Sequence, residues 1–245
     1  VCSCVALVSC ASHRDLLQAE IQHDLGVEDL RQGRLQQALR AFEEAVSLAD
    51  DFPQAFNGLG LTQHFLGNEQ KAIEAFQRAL KLKPDFSEVK ANLGRVHLSR
   101  GRFREALPLL EEALEDVFLP ERYVAEANLG WAQFQIGMEE EGLRRVMTAL
   151  AQNEGYCVAH EFLGFMHQKR QTYDEAIESF KILIQKCPGY VQGLLNLAKV
   201  YLLAGDETQG CLNLEACVQK GRMSLVGQEC TRLQRLSCGS KPSAP

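Results

Sequence analysis

Nine cysteines and six histidines are the residues of this 245-residue chain whose chemistry goes beyond packing. Cys2, Cys4 and Cys10 lie at the start, while Cys157, Cys187, Cys211, Cys217, Cys230 and Cys238 lie in the C-terminal part. Paired thiols oxidise to disulfides, and thiolates with imidazoles hold zinc. Cys157-Val-Ala-His160, with His167 close by, raises the metal reading. A closed zinc site needs a second ligand pair, which this stretch lacks, so a structural role for these residues is the stronger reading. No Cys-x-x-Cys pair, phosphate-binding glycine loop or His-Glu-x-x-His motif occurs, and the remaining histidines are scattered. Nothing in the sequence argues for an enzyme, a metal or a cofactor. The six later cysteines leave two readings open: disulfides, or buried thiols acting as small hydrophobes.

The elements that must position these residues follow from a repeat. The stretch from Ala55 to Pro84 holds two helical patterns broken at Leu66-Gly67-Asn68. Ala72, Phe76 and Ala79 recur at i, i+4 and i+7, one face of a helix. Pro84 ends the second pattern, because proline cannot continue a helix and restrains the residue before it. The small residue of the first helix recurs at Gly26, Gly60, Gly94, Gly130, Gly164 and Ala198, in steps of 34, 34, 36, 34 and 34. That of the second helix recurs at Ala38, Ala72, Ala106, Gly142, Ala176 and Gly210 in the same steps. Four residues on come Phe42, Phe76, Leu110, Val146, Phe180 and Leu214. The small residues let helices approach and the large ones fill the space between them.

Leu-Gly, then Ala, Phe and Ala, then Pro resembles the 34-residue tetratricopeptide repeat (TPR). The resemblance implies an all-α fold, a superhelical solenoid of six TPRs with a C-terminal capping helix. The repeats are read as 19–52, 53–86, 87–122, 123–156, 157–190 and 191–224, the 36-residue step falling in the third. Within the first, helices are expected over Leu16–Gln32 and Leu35–Ala49. Pro53 suits a first helical position, and Ser87 is placed as a helix cap. Residues 225–236 form the cap and 237–245 a loose tail. An apolar share of 46% with only 7% aromatics suits helices buried on one face. The net charge of −6 and pI near 5.6 argue against a nucleic-acid partner. No apolar run approaches the roughly 20 residues needed to span a bilayer.

Leu7-Val8-Ser9-Cys10 resembles a bacterial lipobox, in which a signal peptide is cut before a cysteine that becomes lipidated. The competing reading is a hydrophobic start with a chance cysteine. Under the lipobox reading, residues 1–9 are the remnant of a signal peptide whose basic start is missing, Cys10 is the lipidation site and residues 10–18 are a linker. Ala11 and Ser12, in place of Asp, imply sorting to the outer membrane. An exported chain favours disulfides among the six later cysteines. Antiparallel helices put the start of one beside the end of the next. Cys157 then falls by Cys187, Cys211 by Cys238, and Cys217 by Cys230.

A TPR array binds through its first helices, chiefly at family positions 2, 5, 9 and 12. The candidate partner-binding groove is Val27, Leu30, Asn57, Leu61, His64, Arg95, Leu98, Trp131, Phe134, Phe165 and Leu202. TPRs that clamp a C-terminal carboxylate carry Lys and Asn at positions 5 and 9. Asn57/Leu61 and Ala91/Arg95 stand there instead, so that clamp is not expected. The groove reads as apolar, with Trp131 and Phe165 as packed core the alternative.

A lipobox closely followed by six TPRs resembles the pilotins of type IV pilus machines, the PilF/PilW class, and within it the Tgl-type pilotin of gliding bacteria. The resemblance covers residues 10 to about 236. It implies a lipoprotein on the periplasmic face of the outer membrane of a Gram-negative bacterium. Its partner would be a secretin of the PilQ kind, which such proteins help to insert and multimerise, with no small-molecule substrate. The alternative is a periplasmic TPR scaffold that recruits or regulates a cell-wall enzyme or another envelope assembly machine.

Overall fold

Glycine at a fixed turn and a large residue facing a small one build the same helical hairpin along the chain. The computed structural model describes residues 3–239, and side chains from residue 13 onward. Thirteen helices run among the described residues. They are α1 (Ser3–Arg31), α2 (Leu35–Leu48), α3 (Pro53–Phe65), α4 (Glu69–Leu82), α5 (Ser87–Ser99), α6 (Phe103–Glu115) and α7 (Arg122–Gln135). There follow α8 (Glu139–Gln152), α9 (Cys157–Lys169), α10 (Tyr173–Lys186), α11 (Val191–Leu203), α12 (Glu207–Lys220) and α13 (Leu225–Ser237). No strand occurs among them. None is long and apolar enough to cross a membrane. The first helix starts at Ser3 rather than at the expected Leu16. The Cys10 side chain and residues 240–245 of the expected tail lie outside the described residues.

Each turn between paired helices needs one residue in the left-handed region. Gly33, Gly67, Gly101, Gly137 and Gly205 take it, with φ between 67° and 98°, while Gln171 takes it in the fifth hairpin at φ 62°. At Gly67 the chain reverses with its N–H bonded to the His64 carbonyl at 2.9 Å, and the Asn68 N–H bonded to the Gln63 carbonyl at 2.9 Å. Pro53 stands at the start of α3, where its missing N–H leaves nothing unpaired. Ser87 does not cap α5. Phe86 is the capping residue, and the Ser87 hydroxyl instead donates to Asp116 Oδ2 at 2.6 Å. The sequence rule missed this because the carboxylate that ends α6, the other helix of the same hairpin, takes the hydroxyl in place of the local backbone N–H. Side-chain caps come from Asp206 and Ser224, which accept from the N–H groups of Gln209 and Gly227.

The chain divides into two compact units, one ending at Ala132 and the other starting at Gln133. In the first, α1 packs on α2, α3 on α4 and α5 on α6, while α2 meets α3 and α4 meets α5. Phe42, Phe76 and Leu110 are fully buried, each against the glycine of its own first helix. A Cβ added at Gly60 would lie 2.6 Å from the Phe76 ring, and one at Gly94 2.8 Å from Leu110 Cγ. Gly58 makes the same close approach to Phe42 from the following hairpin, which links neighbours as well as partners. Burying each such side chain contributes roughly 1.5–3 kcal/mol. Ala106, Leu110 and Ala113 of α6 continue the core to Leu119, Ala125 and Leu129.

In the second unit α9 packs on α10, α11 on α12 and α12 on α13. Phe180 is fully buried over Gly164, where a Cβ would lie 2.4 Å from its ring. Leu214, Cys217 and Cys230 close the end of the core with Leu194, Leu195 and Ala198. Three disulfides join Cys157 to Cys187, Cys211 to Cys238 and Cys217 to Cys230. These are the pairs that the helix-end geometry gives, with Cα separations of 6.2, 5.7 and 6.1 Å.

Candidate partner-binding surface

In the first unit, α3, α5 and the segment from Leu119 into α7 enclose a cleft of about 200 Å³. Leu61 and Arg95, both expected in the groove, line it together with Glu88, Asn92, Asn128 and Pro120. Asn57, also expected there, is buried beneath it and fully engaged. Its Nδ2 donates to Glu88 Oε1 at 3.1 Å, and its Oδ1 accepts from Asn92 Nδ2 at 3.1 Å. The Asn92 Oδ1 accepts from the Arg95 guanidinium at 3.3 Å. The chain of bonds thus runs from a cation to an anion, each amide dipole oriented by the next. Arg95 also stands 5.9 Å from the centre of the exposed Phe65 ring.

The other expected residues are placed differently. His64 Nδ1 is buried without a hydrogen-bond partner. Burial first, then the Arg95 charge, push the His64 pKa below its usual value against the opposing pull of Glu69. Leu98 is half-buried and packs on the core of α6, Val27 is exposed, and Leu30 and Trp131 are half-buried.

In the second unit, Phe134 is fully buried, which corrects its expected place on a binding face. The Lys169 ammonium stands 5.0 Å from its ring centre, so the ring is covered rather than presented. Phe165 is half-buried and meets the Phe180 ring edge-on at 5.4 Å. Leu202 lies over Gly210, whose added Cβ would come within 2.6 Å of Leu202 Cδ2. Both are therefore tied into the core of their own hairpins. The Cys157–His160–His167 stretch has structural partners. Cys157 is in a disulfide, His160 Nε2 meets the Glu154 carbonyl at 2.8 Å, and His167 Nδ1 meets Thr172 Oγ1 at 3.0 Å.

Glu161 carries a second polar bridge between hairpins. It accepts from the Tyr190 hydroxyl at 3.0 Å and from Asn196 Nδ2 at 2.9 Å. Burial raises its pKa, partly offset by these two bonds, and burial beside Glu161 raises that of Tyr190. Such bridges have a signature in residue spacing. Asn92 follows Asn57 by 35 residues and Asn196 follows Glu161 by 35, one repeat plus one residue.

Family models described as tetratricopeptide repeat match residues 23–85 and 66–118. The fold is an all-α TPR solenoid. Among solved structures, this array is similar to PilW, described as a widely conserved type IV pilus biogenesis factor. The TM-score is 0.76 at 22% identity, covering 87% of this chain and 98% of that one. It is also similar to Pseudomonas aeruginosa PilF, with a TM-score of 0.68 at 20% identity over 88% of this chain and 97% of that one. A chain of the APC/C hetero-tetramer Cut9-Hcn1 gives 0.77 at 18% identity, over 88% of this chain but 42% of that one. A comparison with curated proteins finds no match. The TPR solenoid resembles the PilF/PilW class. A TPR array is a scaffold for protein partners, not an enzyme class.

Proposed function

We propose that this TPR protein serves type IV pilus biogenesis as a pilotin. In this reading it is anchored by a lipid on Cys10 to the periplasmic face of the outer membrane, where it binds secretin subunits and promotes their insertion and multimerisation. The observation that carries the reading is the end-to-end match with PilW, 87% of this chain against 98% of that one, rather than a match to a few repeats. Three disulfides within residues 157–238 add support, since such bonds persist in oxidising compartments such as the periplasm. A lipid anchor fits a protein that must hold a partner beside the membrane.

The test uses the full-length precursor in its own host. Deleting the gene should abolish heat-resistant secretin multimers while leaving secretin monomer, and the wild-type copy should restore them. Cys10→Ala should leave the protein unprocessed and away from the outer membrane, without multimers. Normal multimers in the deletion strain would sink the proposal. Affinity capture of a cell-wall synthase in place of secretin would move the protein to the scaffold reading.

A further inference from the structure

Leu17, Ile21 and Leu25 recur every four residues along α1 and are 54%, 47% and 53% exposed. They lie opposite the side that buries Ala19 and sets Gly26 on the Phe42 ring. The repeat shows what this side of a first helix does. Two repeats on, at a distance of 68 residues, Val89, Leu93 and Val96 of α5 hold the positions of Ile21, Leu25 and Glu28. All three are buried, in one cluster with Ile73 and Phe76 of α4. At the position of Leu25, Leu129 of α7 is likewise buried with Leu110 of α6, and Leu197 of α11 with Phe180 of α10. This is the side by which a first helix stacks on the hairpin before it. The α1 helix packs on α2 and α3, so among the described residues its stacking side is open. A terminal repeat is kept soluble by a polar outer face, yet Leu17, Ile21 and Leu25 keep this one apolar.

We infer that this face of α1 pairs with the same face of a second copy of the chain, the two helices antiparallel about a two-fold axis at Ile21. Charge complementarity selects that occupant. The stripe runs Arg14, Leu17, Ile21, Leu25, Glu28, with spacings of 3, 4, 4 and 3, so its layout is the same read from either end. The axis sets Leu17 against Leu25 of the second copy and Arg14 against its Glu28, and repeats both contacts at the other end. A parallel pairing would instead bring Arg14 to Arg14 and Glu28 to Glu28, which repel. Glu28 meets Arg31 of its own helix at 3.5 Å, an exposed pair weak enough to be exchanged. Glu20, Asp24 and Glu28 along the stripe disfavour an anionic lipid surface as the occupant. The contact uses one patch on both copies, so it closes at two. It goes beyond the pilotin proposal and does not depend on it, since neither secretin nor lipid anchor enters the pairing.

The experiment is sedimentation equilibrium of the full 245-residue chain with its disulfides formed, loaded up to about 100 μM, which should show a reversible dimer. Ile21→Asp puts two like charges on the axis and should raise the dimer Kd about tenfold or more. Its target is half exposed and outside the hairpin core, and circular dichroism checks that the helices remain. Arg14→Glu and Glu28→Arg should each weaken the dimer about tenfold. An equimolar mixture of those two variants should recover it, because only the mixed pair sets opposite charges together at both ends. A monomer at every concentration, a dimer indifferent to Ile21→Asp, or a mixture no tighter than its components would overturn the pairing. So would a monomeric wild type that binds anionic vesicles and loses them on Ile21→Asp, which would give the face to the lipid. In the full-length protein in its host, a photo-crosslinking residue in place of Ile21 should join two copies. A crosslink confined to one chain would overturn the pairing, the face then being covered from within.

Discussion

Gln171 holds the turn position that glycine holds in the other hairpins, at φ 62°. A side chain there brings Cβ close to the next carbonyl and costs roughly 1–2 kcal/mol. Gln171→Gly should therefore raise stability by about 1 kcal/mol, after the greater freedom of glycine in the unfolded chain is subtracted. Urea unfolding measures it, and a variant no more stable than wild type would show that the strain is absorbed elsewhere. Histidines give a second test at this scale. His64, His97 and His167 sit in the last turns of α3, α5 and α9, where the helix dipole favours a cation. Burial is nonetheless the largest influence on each and pushes all three pKa values below the usual 6.5. The folded state then binds fewer protons than the unfolded one between the usual and the lowered values. Stability should be full above about pH 7 and should fall as pH drops below 6.5, so the urea midpoint at about pH 5.5 should lie below that at 7.5. His64→Asn should shrink the difference, and an unchanged difference would remove His64 from the account.

At the scale of elements, the bridges divide the protein. All three lie in α9–α13 and the segments beside them, and no cysteine occurs between residues 13 and 132. Cys157–Cys187 ties the start of α9 to the end of α10 across a separation of 30 residues. A loop of that size stabilises by about 3.6 kcal/mol through the entropy it removes from the unfolded chain. Replacing both cysteines with alanine should lower stability by about that amount and leave the helix content intact. Reduction of the wild-type protein should lower amide protection in α9–α13 and leave α3–α6 unchanged, as hydrogen exchange can read. Equal losses in both sets would mean that the two units unfold together. Exposed ion pairs such as Arg170 with Glu140 at 2.8 Å are worth far less, because water screens them.

Across the whole molecule, a TPR array is stable by contacts between neighbours, so damage at one end stays near that end. Removing residues 225–239 takes away α13, including Cys230 and Cys238, and opens Leu194, Leu214 and Cys217 to water. Protection should fall in α11 and α12 and persist in α1–α6; collapse of the entire chain would refute the one-dimensional picture. The same short range of contacts explains what was legible in the sequence. Small and large markers such as Gly60 and Phe76 meet within one hairpin, so their spacing alone specified helix, turn, repeat and even which cysteines share a helix end. The side of a helix that reaches solvent was not legible, because it depends on how successive hairpins stack. Phe134 and Leu98 share one repeat position, yet the ring is fully buried and the leucine half-buried. The cleft was hidden for a related reason. Two inserted residues show in the sequence as a longer step, but only the folded chain decides that Leu119 turns inward and Phe118 outward, beside the cleft.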